Sequence, residues 1–222
     1  QAHGATETCP GHSTILTGNH PAHTGIVANN FFDLGAARED KRIYCAEDPT
    51  VAGTSSRGGK YSPSINHLLV PTLGDYMKDA NPKAQVVSVS GKDRSAIMMG
   101  GRKADETYWL VPTGLTSYPG KTLSPTAQAA STTIAAAIAS PRNPLPLPAD
   151  CADHSIAIGM DNGYEVGTGR MAREGGDFRA FLGSPEADGS VLATAAALRA
   201  QRKMGEGDST DLLIIGLSAT DY

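Results

Sequence analysis

Apolar positions in the first half of the chain predict one helix followed by one strand. Apolar side chains recur at helical spacing from Leu73 to Ala80, which predicts a helix with Pro71 in its first turn. Residues 85–90, with the sequence QVVSVS, are short and rich in β-branched side chains, which is typical of a strand. The polar triplet at 92–94 therefore follows the carboxyl end of a strand.

The same order recurs near the end of the chain. Apolar residues from Val191 to Leu198 mark one face of a helix predicted over about 190–204, and the apolar run 212–217 predicts a strand. Helices that alternate with short apolar strands indicate an α/β fold, a sheet flanked by helices with ligands bound at the strand ends.

The middle of the chain has a different composition. Residues 110–176 are rich in Pro, Gly, Ser and Thr, so we expect a cap or insertion there. The chain is thereby divided into 1–109, the N-terminal part of the core, then the cap, then 177–222, a return to the core. Because it begins at Gln1 and stops just after a predicted strand, we expect a fragment cut at both ends.

Composition and charge exclude several classes of protein. The chain has 222 residues, of which 40% are hydrophobic, and a net charge of -4, so no broad basic surface for nucleic acid is expected. No stretch approaches the roughly 20 apolar residues of a membrane span, and no signal peptide is visible. Three cysteines without a Cys-x-x-Cys pair argue against a structural zinc knuckle and allow one disulfide at most.

Residues 8–18, TCPGHSTILTG, are consistent with a short helix that begins at Thr8 and is closed by Gly18. Unpaired amides and the helix dipole at such an N-terminus favour an anion, so a phosphate would bind well there. A threonine alkoxide needs a stronger activator, such as bound Zn²⁺. Without further information, a simple N-cap is the commoner role for Thr8.

Four segments in order resemble the alkaline phosphatase superfamily, in particular the monomeric bacterial alkaline phosphatases related to nucleotide pyrophosphatases. The segments are residues 8–33, 62–80, 87–97 and 210–222. The resemblance implies an alkaline-phosphatase-like α/β fold, two zinc ions, and hydrolysis of small phosphate monoesters through a phosphothreonine intermediate. It also implies a monomer that works in the periplasm or is secreted.

The resemblance assigns roles to five residues. Thr8 becomes the nucleophile and a zinc ligand, and Asn29, otherwise a simple turn asparagine, becomes an amide donor to phosphate. Lys92 and Arg94 become the cations that contact a dianionic phosphoryl group; in an extended segment their side chains would share a face. Asp221, otherwise a turn residue, becomes a second zinc ligand. The other ligands fall outside the chain, so the chain alone is expected to be inactive.

Two other functions are compatible with these residues. A phosphodiesterase or nucleotide pyrophosphatase would use the same threonine, asparagine and zinc, but Lys92 and Arg94 favour the monoester, which carries more negative charge. A non-catalytic phosphate-binding or degenerate member of the superfamily is the second alternative. A sulfatase is disfavoured because its nucleophile is a formylglycine, which Thr8 cannot form.

Overall fold

Helices and short strands alternate along the computed structural model, which describes residues 4, 6–55, 59–161, 163, 165–166 and 170–221. The helices are α1 (Thr8–Thr17), α2 (Pro21–Thr24), α3 (Leu73–Ala80), α4 (Asp93–Gly100), α5 (Pro125–Ala139), α6 (Phe178–Leu182) and α7 (Pro185–Arg202). The strands are β1 (Asn30–Phe32), β2 (Arg42–Tyr44), β3 (Val86–Ser90), β4 (Glu106–Val111), β5 (Gly114–Thr116), β6 (Ile158–Gly159), β7 (Glu165–Val166) and β8 (Leu212–Gly216). Short 3₁₀ turns lie at Ala149–His154 and Ala219–Asp221. The predicted α/β class is confirmed.

The two strands predicted from the sequence lie side by side in the main sheet. Its strand order is β5-β4-β3-β8, with β3 parallel to both β4 and β8, and β5 antiparallel to β4. Ser90, the last residue of β3, lies opposite Gly216, the last residue of β8. The segments that follow these strands therefore emerge together at one edge of the sheet.

Helices cover both faces of this sheet. Val87 and Val89 of β3 pack with Leu198 of α7 and with buried residues of α5 and α6. On the opposite face, Trp109 of β4 packs with Ile97 of α4 and with residues of the N-terminal region. Successive strand residues point to opposite faces, so a central strand covered on both sides is buried at every position, as β3 is.

Two predicted helix starts differ from the structure. The first helix begins at Leu73, because Thr72 is its N-cap and forms a capping box with Asp75; Pro71 therefore lies outside the first turn. The second begins at Pro185, five residues before the predicted start at 190. Pro at the first helical position and acidic side chains in the first turn favour this earlier start.

The region expected to form a cap divides into two parts. Strand β5 pairs with β4, and α5 buries Ile134 and Ile138 in the core. The hydroxyl of Ser131 on α5 accepts a hydrogen bond from the Leu115 amide at 2.9 Å, since Gly114 has no side chain to hold the two elements apart. The division of the chain with a cap over 110–176 stays a prediction; the described residues of its second part, 140–176, are mostly exposed.

Candidate active site

The carboxyl edge of the sheet brings together two of the predicted site residues. Lys92 follows β3, and Asp221 lies in the short turn that follows β8. Nζ of Lys92 forms a salt bridge with Oδ2 of Asp221, although 129 positions separate the two residues in the sequence. The Lys92 side chain is buried, whereas that of Asp221 is 69% exposed. The strand-end argument thus identified two residues that meet in space.

Thr8 is the first residue of α1, as predicted. The helix ends at Gly18, which has a φ of 68°, and the Gly18 amide donates to the Thr14 carbonyl. Glu7 is the N-cap residue, but its side chain does not cap the helix. Thr8 therefore sits in the first turn, among backbone N–H groups that have no partner within the helix.

Asn29 is held against this helix end by three hydrogen bonds. Its side-chain oxygen accepts from the Cys9 amide at 2.8 Å, its own amide donates to the carboxylate of Glu7, and its carbonyl accepts from the Cys45 amide at 3.0 Å. Because the amide oxygen faces the Cys9 N–H, the NH₂ group is the half of this side chain that can donate to a ligand. Asn29 is thus fixed beside Thr8.

Lys92 and Arg94 do not lie in one extended segment. Lys92 is extended, with φ of -118° and ψ of 139°, but it is the N-cap of α4, and Arg94 is already helical. An extended segment, the condition under which their side chains would share a face, is therefore absent here, because the helix begins at Asp93. The two side chains nevertheless line one common cavity.

That cavity contains all five predicted site residues. Its volume is about 520 Å³. It is lined by Thr6, Glu7, Thr8, Gly11, His12, Ile15, Asn29, Lys92, Arg94, Ser95, Leu217, Ser218 and Asp221. A larger cavity of about 710 Å³ near Arg102 contains none of the five. The predicted nucleophile, amide donor, two cations and carboxylate therefore face one space, which could accept a phosphate ester.

Two neighbouring charges and burial set the protonation states in this cavity. The hydrogen bond from Lys92, together with its charge, holds the pKa of the Asp221 carboxyl below its ordinary value, so Asp221 is ionised at neutral pH. Burial lowers the pKa of His12, and the charges of Lys92 and Arg94 add to this effect. His12 is therefore neutral, and its Nδ1–H donates to the Thr8 carbonyl oxygen at 2.7 Å.

The described residues supply part of a metal site at most. Across the part of the chain that the structure describes, no three His, Cys, Asp or Glu side chains are grouped to hold a metal ion. A catalytic zinc is ordinarily bound by three protein ligands. The Thr8 hydroxyl and the Asp221 carboxylate are oxygen donors of a kind that zinc accepts, and both line the cavity.

Sequence reasoning missed several residues that surround these five. Cys9, next to Thr8, forms a disulfide with Cys45, whereas three cysteines had left the pairing open. Tyr44 and Tyr61 donate hydrogen bonds to the carboxylate of Asp93, the residue between the two cations. Tyr44 ends a three-residue strand and Tyr61 lies in a loop, and neither segment is long enough to show a periodic pattern, so nothing in the sequence alone pointed to them.

Comparison with known proteins relates this chain to enzymes that act on phosphate esters, the kind of ligand that the cavity could accept. A family model described as type I phosphodiesterase / nucleotide pyrophosphatase matches residues 1–222. Alkaline phosphatase PhoK of Sphingomonas sp is 52% identical over 223 residues, and the match covers 100% of this chain and 39% of PhoK. Alkaline phosphatase PhoD of Zymomonas mobilis is 41% identical, and the match covers 99% of this chain and 38% of PhoD. The chain thus spans about two fifths of the length of these curated relatives.

Solved structures of one alkaline phosphatase share the fold. Wild-type alkaline phosphatase PafA superposes with a TM-score of 0.73 at 26% identity, over 98% of this chain and 44% of PafA. A PafA variant with substitutions at a threonine, an asparagine, a lysine and an arginine gives a TM-score of 0.75 at the same identity. The α/β core described above is therefore the core of an alkaline phosphatase fold.

Proposed function

The chain belongs to the type I phosphodiesterase/nucleotide pyrophosphatase family, and from this premise we propose that its protein is a zinc-dependent phosphate monoester hydrolase. The observation that carries the proposal is the single cavity that Thr8, Asn29, Lys92 and Arg94 line together. A nucleophile, a neutral donor and two cations around one space match the needs of phosphoryl transfer, which depends on positioning and charge stabilisation.

Thr8 is the proposed nucleophile. Its oxygen forms a bond to phosphorus while the bond from phosphorus to the ester oxygen breaks, which leaves the alcohol and a phosphothreonine. Water then attacks the same phosphorus, so that inorganic phosphate departs and the Thr8 hydroxyl is restored. The position of Thr8 in the first turn of α1 favours both the alkoxide and the bound anion, because the helix dipole is positive there.

The proposed phosphate-binding residues, which donate to the phosphoryl oxygens, are Asn29, Lys92 and Arg94. The NH₂ group of Asn29 donates to one oxygen, while its own oxygen stays bonded to the Cys9 amide. Lys92 and Arg94 offset the two negative charges of a monoester, and the guanidinium can donate to two oxygens at once. Since these donors are held by helix starts and a disulfide-linked segment, they need little rearrangement as charge develops.

Two zinc ions are part of the proposal, and this chain would supply only some of their ligands. Thr8 and Asp221 would be those ligands, as both oxygen donors line the cavity. Zinc at such a site lowers the pKa of a bound hydroxyl and stabilises charge on the entering and leaving oxygens. Lys92, which holds Asp221 ionised, keeps this carboxylate ready as a ligand.

The relatives support a monoesterase over a diesterase. PhoK, PhoD and PafA carry the name alkaline phosphatase. The threonine and asparagine substituted in the PafA variant have the same separation as Thr8 and Asn29, and its lysine and arginine the same separation as Lys92 and Arg94. A phosphodiesterase or pyrophosphatase, the second candidate, is favoured only by the name of the family. A non-catalytic phosphate-binding protein is the third.

The proposed partner is a small phosphate ester rather than nucleic acid or a membrane. The net charge of -4 does not favour a polyanion, and none of the helices that the structure describes is long and apolar enough to cross a membrane. The disulfide between Cys9 and Cys45 supports an oxidising location, so we propose a periplasmic or secreted monomer.

The test compares aryl phosphate monoesters and diesters as substrates of the complete protein, expressed with zinc. We expect a strong monoester preference that Thr8→Ala abolishes. Arg94→Ala should lower kcat/KM for monoesters by about 10- to 100-fold, the value of a hydrogen bond to a charged group, and affect diesters much less. Arg199→Ala, which removes an exposed arginine of α7, is the matched control.

Each alternative predicts a different result. A diester preference in the wild type would identify a phosphodiesterase, and it would mean that Lys92 and Arg94 do not contact the transferred group. Equal losses on both substrates in Arg94→Ala would refute the role given to Arg94. No zinc-dependent turnover of either substrate would favour the non-catalytic protein.

A further inference from the structure

The residue between Lys92 and Arg94 in the sequence is a buried carboxylate, Asp93. Asp93 is the first residue of α4 and is 8% exposed. Oδ1 accepts a hydrogen bond from the Tyr44 hydroxyl at 2.8 Å, and Oδ2 accepts one from the Tyr61 hydroxyl at 2.6 Å. The two tyrosine rings meet edge to face with their centroids 4.9 Å apart. These three residues, the Tyr44–Asp93–Tyr61 cluster, form one packed and hydrogen-bonded unit.

The hydroxyls of Tyr44 and Tyr61 occupy the Asp93 carboxylate by hydrogen bonds. That carboxylate would otherwise compete with the phosphate for Lys92 and Arg94. A buried carboxylate without donors would pair with an adjacent guanidinium and cancel the charge meant for phosphate. Burial, and then the charge of Asp93, raise the pKa of both tyrosines far above the physiological range. Each hydroxyl therefore keeps its proton and stays a donor to Asp93.

Tyr44 also contacts Arg94, one of the proposed phosphate-binding residues. Nη1 of Arg94 lies 3.5 Å from the Tyr44 hydroxyl oxygen. Because that hydroxyl gives its only proton to Asp93, a lone pair of its oxygen is left to face Arg94. Arg94 is thus guided from one side by Tyr44, while Asp93 anchors the start of its helix.

The same tyrosine is linked to the nucleophile by a short path through the chain. Tyr44 is 8% exposed and immediately precedes Cys45, whose disulfide to Cys9 ends one residue from Thr8. The Tyr44 amide donates to the buried carboxylate of Glu47 at 2.8 Å, which fixes the backbone at this point. Tyr44 and Cys45 therefore link the two sides of the cavity: Tyr44 contacts Arg94, and Cys45 is bonded to Cys9, which adjoins Thr8.

We propose that the Tyr44–Asp93–Tyr61 cluster is a positioning unit, which holds Lys92 and Arg94 at the distance from Thr8 that a dianionic phosphoryl group requires. The inference rests on the proposed function and deepens it, since the unit determines the preference for monoesters over diesters. None of the three residues needs to touch the substrate. Their effect reaches the substrate through Arg94 and Lys92.

The experiment removes single hydroxyls from the complete, zinc-loaded protein. In Tyr44→Phe and Tyr61→Phe we expect the ratio of monoester to diester kcat/KM to fall by about 10-fold, because a hydrogen bond to a charged group is lost. Tyr118→Phe is the matched control. Tyr118 packs edge to face on Trp109, and its buried hydroxyl has no hydrogen-bond partner among the described residues, so the ratio should not change.

A second measurement separates failure of the inference from failure of the proposed function. The affinity for inorganic phosphate, measured by calorimetry, should fall by about 10-fold in Tyr44→Phe and stay constant in Tyr118→Phe. A monoester preference that survives in both tyrosine variants would overturn the positioning role and leave the function intact. If the wild type lacks a monoester preference, the function fails, and unchanged phosphate affinity in Tyr44→Phe would then overturn the positioning role as well.

Discussion

The disulfide next to the nucleophile allows a quantitative prediction of stability. Cys9 and Cys45 are both fully buried, and their bond closes a loop with a sequence separation of 36. The loop-closure relation for a cross-link of this length gives a stabilisation of about 4 kcal/mol at 25 °C, through the lower entropy of the unfolded chain. Typical domains are stable by only about 5–15 kcal/mol, so this single bond is a large fraction of the total.

The perturbation is the double variant Cys9→Ala/Cys45→Ala, unfolded in urea and followed by circular dichroism. For a slope near about 2 kcal/mol per molar urea, the midpoint should fall by about 2 M. Cys151→Ala is the control, because Cys151 is exposed and free, and its midpoint should match that of the wild type. A shift below about 0.5 M in the double variant, with the slope unchanged, would refute the loop-closure argument.

Two further predictions concern a strained glycine and a titrating carboxyl. Gly101→Ala should lower the free energy of unfolding by about 2 kcal/mol or more, because Gly101 has a φ of 75° and a Cβ there would collide with the Thr72 hydroxyl. Gly189→Ala is the control, because a Cβ there enters open space on α7; it should be neutral or stabilising, and the urea midpoints of the two variants give the comparison. The Thr50 hydroxyl donates to Asp48 at 2.6 Å and holds the pKa of that carboxyl below its ordinary value. The stability gained from this hydrogen bond is present above the ordinary pKa and disappears as the pH falls through the lowered pKa. Thr50→Val should therefore be less stable than the wild type at pH 7 and equal to it near pH 2. An equal loss of stability at both pH values would contradict the linkage.

Parallel strand logic explains why part of the site was predictable. Lys92 and Asp221 each follow a strand that the apolar pattern identified, and adjacent parallel strands end at the same edge. Thr8 at the start of α1 followed from turn chemistry and from the closing Gly18. The role of Asn29 needed the resemblance, because its bond to the Cys9 amide spans 20 positions and has no periodic signal.

Other features were set by packing that a linear pattern does not express. The helix that begins at Asp93 places Arg94 in its first turn, so the side chains of Lys92 and Arg94 do not follow the alternation of an extended segment. Helix α5 lies in the stretch whose composition predicts a cap, and composition alone does not express that its Ile134 and Ile138 are buried in the core. Tyr44 lies in a short strand between loops, and its contact with Asp93 joins positions 49 residues apart.

Because β3 pairs with β8, which follows much later in the chain, β3 is synthesised well before its partner strand. Ser90 and Gly216, which meet at the carboxyl edge, are 126 positions apart. At roughly 5–20 residues per second of synthesis, β3 waits about 6–25 s before β8 emerges beside it. During that time the backbone N–H and C=O groups on this side of β3 have no strand partner, so the nascent chain presents an unpaired strand edge, which is a site at which chains aggregate.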